Sequence, residues 1–308
     1  MPQYETYDVV ILGSGPAGLQ AAIHAARKRV RVLVLGRTEK SSLFHAHIEN
    51  ICCVFNVAGE EMLKVGREQA ALFGAEMAGE DVLGLTQDAA GFRVRLEGGQ
   101  EIVGKSLILA TGTSRHRLNV DGERALLGKG VSYCVDCDGN FFRQQPVCIV
   151  GGESAAADGA LSLIKIASAV HLVCEKLSVS PAMMAELDAS DVTVHTGEAI
   201  AAIMGDTAVT GVRLRGGAAL SVKGVFIELG AKGVMELAAS LGLMMDDEMK
   251  FLQTDKQQAT TVPGVFAAGD ICGPPWQMAK AIGEGCVAGI NAASYAKKQN
   301  ADIHKAEE

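Results

Sequence analysis

Residues 8–37 read DVVILGSGPAGLQAAIHAARKRVRVLVLGR, and this stretch decides the fold. Asp8–Leu12 is a short apolar run of the kind that forms a buried parallel strand. Ala17–Arg27 has helical composition, and a second apolar run follows at residues 32–35. The order predicts a strand, a glycine-containing turn, a helix and a second strand, with the right-handed crossover that βαβ units adopt.

The turn in this unit, Gly13-Ser14-Gly15-Pro16-Ala17-Gly18, has dinucleotide-binding spacing. In such turns the first glycine permits the tight turn, the second lets the backbone approach a pyrophosphate, and the third lets the helix pack on the strand. The helix N-terminus supplies donors to the negative charge. The alternative is a glycine-rich turn without a ligand. The acidic residue that usually binds the ribose is absent, because the second strand ends in Leu35-Gly36-Arg37; Arg37 is predicted to face the adenosine end of a ligand.

A second unit of the same kind lies in residues 145–175, QPVCIVGGESAAADGALSLIKIASAVHLVCE. It predicts strands at residues 147–150 and 169–174 around a helix at residues 155–166. Glu153 stands where the second glycine of the motif belongs. A carboxylate there adds bulk and charge, and two like unit charges about 4 Å apart repel by roughly 1 kcal/mol in water and more near a protein surface. The pattern therefore disfavours a dinucleotide at this turn.

The remaining apolar segments indicate how the two units are connected. The stretch EIVGKSLILATGT at residues 101–113 precedes the second unit, and VPGVFAAGDICG at residues 262–273 follows it. Both read as strands that return to the first unit. The sequence therefore predicts an α/β protein with two Rossmann-like three-layer domains, the second inserted in the first.

Composition narrows the class of protein further. The chain has 308 residues, eight cysteines and a formal net charge of −8, which argues against nucleic-acid binding because no basic surface offsets the phosphates. The first residues lack a signal-peptide pattern, and no apolar run approaches the ~20 residues that span a membrane. We expect a cytoplasmic protein with no membrane partner, in which most cysteines stay reduced.

Cys134-Val135-Asp136-Cys137-Asp138-Gly139 is the second chemical motif. Two thiols with two residues between them can close a small disulfide, and the adjacent carboxyl can transfer the proton that thiol chemistry requires. Half of a zinc site is the alternative, but it needs a second ligand pair of similar spacing. We predict no metal, and we interpret the other six cysteines as small buried residues. These are Cys52, Cys53, Cys148, Cys174, Cys272 and Cys286.

The motifs GSGPAG, ATGTS, CVDCDG, GGESAAADGAL and GVFAAGDIC occur in the order and spacing of the low-molecular-weight thioredoxin reductases. The chain resembles this family over nearly its whole length. The resemblance implies an FAD-binding domain from residues 1–114 and 246–308 and an inserted NADPH-type domain at residues 115–245 that carries the disulfide. It also implies a homodimer that reduces thioredoxin.

The resemblance implies a role for each matching residue. Cys137 would face the flavin, Cys134 would attack the partner disulfide, and Asp138 would donate a proton. Other residues would contact FAD. They are Gly13, Ser14, Gly15, Pro16, Ala17, Gly18, Gly36, Arg37, Asn50, Ala110, Thr111, Gly112, Gly269, Asp270, Trp276, Gln277 and Met278.

Two departures from the family concern the electron donor. Glu153 replaces a glycine, and Cys174-Glu175-Lys176 replaces the His-Arg-Arg stretch that grips the 2′-phosphate of NADPH. The chain therefore resembles most closely the atypical flavin thioredoxin reductases that lack NADPH-binding motifs and use ferredoxin or another low-potential donor. An ordinary NADPH-dependent reductase and a flavin-binding redox sensor without turnover are the alternatives; Glu175 also leaves NADH open.

Trp276 is the only tryptophan and lies beside Gln277, where family members often carry an arginine. It would either stack on the flavin ring or pack at the start of a helix behind Pro274-Pro275.

Overall fold

The computed structural model describes residues 5–112, 117–248 and 250–307. The strands, in chain order, are β1 Glu5–Leu12, β2 Val32–Leu35, β3 His47–Ile48, β4 Val57–Ala58, β5 Ala75–Ala78, β6 Val82–Asp88, β7 Gly91–Leu96, β8 Glu101–Leu109, β9 Val131–Ser132, β10 Pro146–Val150, β11 Ala169–Cys174, β12 Thr193–Thr196, β13 Ile200–Met204, β14 Gly211–Leu214, β15 Ala219–Leu220, β16 Gly224–Ile227 and β17 Val265–Ala267. The α-helices are α1 Pro16–Arg27, α2 Gly59–Leu72, α3 Val135–Asp138, α4 Ser154–Leu163, α5 Pro181–Asp188, α6 Val234–Leu241 and α7 Met278–Glu307.

The chain divides into two compact units, and the nested order predicted from the sequence is confirmed. The first unit comprises Met1–Leu96, Gln100–Thr113 and Leu237–Glu308, and the second comprises Glu97–Gly99 and Ser114–Glu236. The chain thus returns to the first unit at Leu237, within α6, earlier than the predicted residue 246. The other predicted boundary, at residues 114–115, lies outside the described residues.

The first unit is built on a mainly parallel sheet in the order β5-β2-β1-β8, continued through β8 to the antiparallel strands β7 and β6. β1 pairs in parallel with β2 and β8, and β17 pairs with the end of β8. Because both faces of β1 are covered, Val9, Val10 and Ile11 are fully buried, as the continuous apolar run predicted.

Helix α7 packs closely on α1 and so fixes the glycine turn that precedes α1. A Cβ on Gly285 would lie 2.2 Å from the carbonyl oxygen of Ala17, and one on Gly289 would lie 2.3 Å from that of Ala21. Only glycine permits such an approach of two backbones. The alanines of both helices complete this part of the core.

The second unit repeats the architecture with a parallel sheet in the order β12-β11-β10-β16-β9 and a separate antiparallel sheet, β13-β14-β15. The strands predicted at residues 147–150 and 169–174 correspond to β10 and β11, and α4 ends at Leu163 rather than at residue 166. Among the described residues, no helix combines the length and the apolar character needed to cross a bilayer.

Candidate active site

Cys134 and Cys137 form a disulfide at the start of α3 in the second unit, with their Cα atoms 5.3 Å apart. Cys134 is the N-cap residue of this one-turn helix, and its Sγ accepts a hydrogen bond from the backbone N–H of Cys137 at 3.1 Å. Cys134 is buried, whereas Cys137 is exposed. Of the two residues, Cys137 is therefore the more exposed to solvent.

Ser132, which sequence reasoning missed, holds Asp138 beside the pair. Its hydroxyl lies 2.6 Å from Oδ2 of Asp138, to which it donates, and its Oγ accepts from the backbone N–H of Cys134 at 3.1 Å. The backbone N–H of Asp138 donates to the carbonyl oxygen of Cys134 at 3.2 Å. The hydroxyl thus ties the carboxyl and the first cysteine together at the end of β9.

Asp138→Asn tests the predicted proton-transfer role. The amide can still accept from Ser132 but cannot donate an acidic proton, so we expect about a hundredfold slower thiol–disulfide exchange, within the range for general acids. The rate is measured by stopped flow with thioredoxin as a function of pH. Asp188→Asn, at the exposed end of α5, is the matched control and should exchange at the wild-type rate. Equal rates for both variants would remove Asp138 from the mechanism.

A group of charged side chains lies next to α3. Glu228 Oε1 accepts from the backbone N–H of Val135 at 3.1 Å, and Lys232 Nζ lies 2.6 Å from Oδ2 of Asp136. Lys232 Nζ also lies 3.2 Å from Oδ2 of Asp158, and the backbone N–H of Gly233 donates to Glu236 Oε2 at 3.0 Å. We call Glu228, Lys232, Glu236, Asp136 and Asp158 the carboxyl cluster.

Sequence reasoning overlooked this cluster, although one signal was present. Glu228 follows directly on Gly224–Ile227, four buried residues of β16, and a charged residue at the end of such a strand requires a partner. Burial, and after it the charge of the neighbouring Glu236, raise the pKa of Glu228 to about 9. Burial also raises the pKa of Glu236 above its ordinary value. Burial alone lowers the pKa of Lys232, but Asp158 and Asp136 outweigh it, so the net shift is upward.

In the glycine turn of the first unit, a Cβ on Gly13 or Gly18 would collide with backbone, whereas a Cβ on Gly15 would meet only the end of a side chain. A Cβ on Gly13, where φ is +116°, would lie 2.2 Å from the carbonyl oxygen of Ala110, and one on Gly18 would lie 1.9 Å from that of Gly13. A Cβ on Gly15 meets only Oγ of Ser41, at 3.3 Å. Gly15 is the N-cap residue of α1 and has no side chain to cap the helix. The turn therefore leaves room for a ligand at the positive end of α1.

Several other residues predicted to contact a cofactor lie around this turn. The backbone N–H of Ala110 donates to Leu12 at 2.7 Å, which places the start of Ala110-Thr111-Gly112 beside the end of β1. A Cβ on Gly36 would lie 3.5 Å from the backbone nitrogen of Ser14. Pro16 is the first residue of α1, whose third residue, Gly18, follows the buried Ala17. The structure thus brings together the three strand ends that carry these motifs.

The segment at the start of α7 joins the same unit. The backbone N–H of Gly269 donates to Glu284 at 2.8 Å. Burial raises the pKa of the neighbouring Asp270. Asn50 Nδ2 donates to Gln277 Oε1 at 3.1 Å, so these two predicted flavin contacts lie together; Met278 begins α7.

Arg37 and Trp276, two of the predicted FAD contacts, differ in how far the protein itself already engages their side chains. Arg37 Nη1 lies 2.6 Å from Oδ2 of the buried Asp81, so part of the guanidinium is already engaged within the protein. Trp276 is 61% exposed, and its packing at the helix start behind Pro274-Pro275 stays a prediction. Its stacking on a flavin stays a prediction.

At the second glycine turn, backbone carbonyl groups of the protein itself lie close to Gly151 and Gly152. A Cβ on Gly151 would lie 1.9 Å from the carbonyl oxygen of Glu228, and one on Gly152 would lie 1.9 Å from that of Lys176. Glu153 is the N-cap residue of α4 and is half-buried. Glu175 pairs with Arg215 at 2.9 Å on the surface. These two glycines are thus required by the fold itself, whether or not a ligand binds.

The remaining cysteines correct one expectation. Cys148 and Cys174 are buried and Cys272 and Cys286 are half-buried, but Cys52 and Cys53 are exposed. These two lie on the turn closed by the hydrogen bond from Val54 N–H to the Ile51 carbonyl at 3.1 Å, which turns their side chains away from the core. Within the described ranges, no cluster of three or more His, Cys, Asp or Glu side chains is arranged to hold a metal ion.

Comparison with known proteins identifies the family. Residues 7–285 match the family described as Pyridine nucleotide-disulphide oxidoreductase. The thioredoxin reductase of Mycolicibacterium smegmatis is 36% identical over 314 residues, covering 96% of this chain and 98% of that protein. The atypical thioredoxin reductase TRi from Desulfovibrio vulgaris Hildenborough superposes with a TM-score of 0.84 at 36% identity, covering 96% of this chain and 99% of that one. A ferredoxin-flavin thioredoxin reductase from Clostridium acetobutylicum gives 0.71 at 28% identity, covering 96% and 100%.

These matches favour an enzyme over a sensor without turnover, and the family implies FAD as its flavin. With its disulfide and its nested Rossmann-like units, the chain belongs to the thioredoxin reductases of the pyridine nucleotide-disulphide oxidoreductase family.

Proposed function

We propose that this thioredoxin reductase passes electrons through Cys134 and Cys137 to thioredoxin and that its donor is ferredoxin or another low-potential reductant, not NADPH. The observation that carries the first part is the disulfide at the start of α3, with Asp138 held beside it by Ser132. FAD, when bound, would supply an electron pair to this disulfide. A homodimer, as in the family, is part of the proposal.

The first unit fits FAD. The space at Gly15, the uncapped start of α1 and the adjoining Gly36 form a cradle for a pyrophosphate, which a side chain at position 15 would fill. Asp270, Asn50 and Gln277 supply polar groups for the rest of the cofactor. These residues would hold FAD whether or not a nicotinamide nucleotide binds to the second unit.

The two thiols of the reduced cysteine pair supply both electrons that reduce the thioredoxin disulfide. Once reduced, Cys134 attacks the thioredoxin disulfide as a thiolate, forming a mixed disulfide and releasing one thioredoxin thiolate. Asp138 supplies a proton to a leaving thiolate. Cys137 then attacks Cys134, which restores the Cys134–Cys137 disulfide and releases the second thioredoxin thiol. Cys134 is buried in the oxidised form, so it must become accessible before the first step.

The second glycine turn argues against NADPH as the donor. Gly151 and Gly152 are explained by close approaches of the protein's own backbone, and position 153 carries a carboxylate. Glu175 adds a second negative charge where the family carries arginine for the 2′-phosphate. The ferredoxin-flavin reductase of Clostridium acetobutylicum is a structural relative whose name includes such a donor.

Anaerobic flavin absorbance tests the donor. We expect the oxidised flavin band to persist with excess NADPH and with NADH and to disappear with reduced ferredoxin. Glu153→Gly and Glu153→Gln separate bulk from charge. If the bulk of the side chain blocks the turn, the glycine variant should accept electrons from NADPH at least tenfold faster than the glutamine variant; if the negative charge blocks it, both variants should gain to a similar extent. Rapid bleaching of the unchanged protein by NADPH would overturn the proposal in favour of the ordinary NADPH-dependent reductase.

A further inference from the structure

The carboxyl cluster contacts the two residues that separate the cysteines. Glu228 accepts from the backbone N–H of Val135, and Lys232 pairs with Asp136, so both bonds end on the one turn of α3. Glu228, Lys232 and Glu236 are buried, with exposed fractions of 4%, 8% and 3%. Asp136 is about half exposed, and Asp158 is buried. Two buried charged groups, Glu228 and Lys232, thus contact the turn that carries the disulfide.

The composition of the cluster is electrostatically unbalanced. It contains four carboxyl groups and one ammonium group, and Lys232 forms its ion pairs with Asp136 and Asp158. Glu228 and Glu236 lie close enough for each to shift the pKa of the other, and Lys232 lowers the pKa of both. Two neighbouring buried carboxyl groups do not both ionise, because desolvation and mutual repulsion oppose the second charge.

We infer that Glu228 and Glu236 share a proton and that this pair couples reduction of the Cys134–Cys137 disulfide to protonation inside the second unit. Glu228 is a positioning residue in this scheme, since it acts through the Val135 N–H and not on a sulfur atom. The inference rests on the proposed electron-transfer role of the disulfide.

The coupling has a definite sign. Breaking the disulfide takes up two electrons and up to two protons, and any sulfur left as thiolate adds negative charge at the start of α3. That charge opposes ionisation of Glu228, so its pKa, about 9 in the oxidised form, rises on reduction. Between the two pKa values, the reduced protein binds one more proton than the oxidised one. The midpoint potential therefore falls more steeply with pH in that window than the thiols alone would require.

The test measures the cysteine couple directly, in the full-length protein. Wild type, Glu228→Gln, Glu236→Gln and the exposed α5 control Glu186→Gln are equilibrated anaerobically in dithiothreitol redox buffers from pH 7 to pH 10. The thiols are then alkylated and counted by mass spectrometry. As the pH rises from the lower to the higher pKa of Glu228, the equilibrium constant for reducing the disulfide should fall about tenfold more in wild type than in Glu228→Gln. This corresponds to about 30 mV in midpoint potential. Glu236→Gln, which removes the repulsion, should move the window to lower pH.

Thermal unfolding of the same proteins separates coupling from a structural role. When the pKa of an acid is higher in the folded than in the unfolded protein, the folded state binds the proton more tightly. The free energy of unfolding is then highest at a pH below the pKa of the unfolded state, and it falls as the pH rises towards the pKa of the folded state. The Tm of wild type should therefore fall more between pH 6 and pH 9 than that of Glu228→Gln. If this difference in Tm appears while the midpoint potentials of wild type and Glu228→Gln fall with the same slope against pH, the pair is structural and the coupling is refuted. Because potentials are read without thioredoxin, failure of turnover would be a separate result.

Discussion

Cys137→Ser leaves the protein unable to reduce thioredoxin in multiple turnovers, with activity at least a thousandfold below wild type. A serine at position 137 can neither form the disulfide that would accept electrons from the flavin nor resolve a mixed disulfide, so the cycle stops after Cys134 has reacted. Steady-state turnover with a photochemical or ferredoxin-based reductant measures the loss. Cys134→Ser should be equally inactive, since the pair acts as a unit.

The two variants differ in what they trap. Under the proposed roles, Cys137→Ser accumulates a mixed disulfide between Cys134 and thioredoxin, whereas Cys134→Ser does not. The burial of Cys134 in the oxidised form makes this comparison informative, because Cys137 is the more exposed residue. Trapping through Cys137 instead would reverse the assignment of the two thiols. Cys52→Ser, on an exposed turn of the first unit, is the matched control and should retain turnover.

We expect Gly15→Val to weaken FAD binding strongly while the fold is kept. The backbone at position 15 is extended, with φ −81° and ψ −174°, which any residue adopts, and a Cβ there meets only the flexible Ser41 side chain. The valine methyl groups would instead fill the space proposed for the pyrophosphate. We expect FAD affinity to fall at least a hundredfold, or about 3 kcal/mol.

Fluorescence titration of the apoprotein with FAD measures this change, and circular dichroism checks the fold. Gly79→Ala, at an exposed position with open space around it, serves as the control and should bind FAD as wild type does. Gly18→Val is not an informative variant, because its Cβ would collide with the Gly13 carbonyl and damage the turn itself. Unchanged FAD affinity in Gly15→Val would show that the cofactor does not use this turn.

The sequence predicted the parts of the fold that local patterns encode. The strand at Ala169–Cys174 has the predicted bounds, and β1 and α1 differ by one to three residues, because continuous apolar runs and glycine spacing fix such units. The return to the first unit at Leu237 was missed by nine residues, since α6 has no composition break where one unit ends.

Contacts between segments that are far apart in the chain could not be predicted from the sequence. The bond between Val135 and Glu228 joins residues 93 positions apart, and nothing in either segment alone specifies it. Cys52 and Cys53 were expected in the core from their residue type. Their place on a turn follows from the hydrogen bond between Ile51 and Val54, which composition does not reveal.

The close packing of α7 on α1 also bears on biosynthesis. The second unit is complete once residue 236 has been made, whereas α1 lacks its partner surface at Gly285 and Gly289 until residue 289 has been made. Because domains generally fold as units during synthesis, the inserted unit can acquire its fold while the surrounding unit is still unpaired. We therefore expect the second unit, which carries the disulfide, to fold before the first, and a chain that stops before residue 285 should lose the fold of the first unit while keeping that of the second.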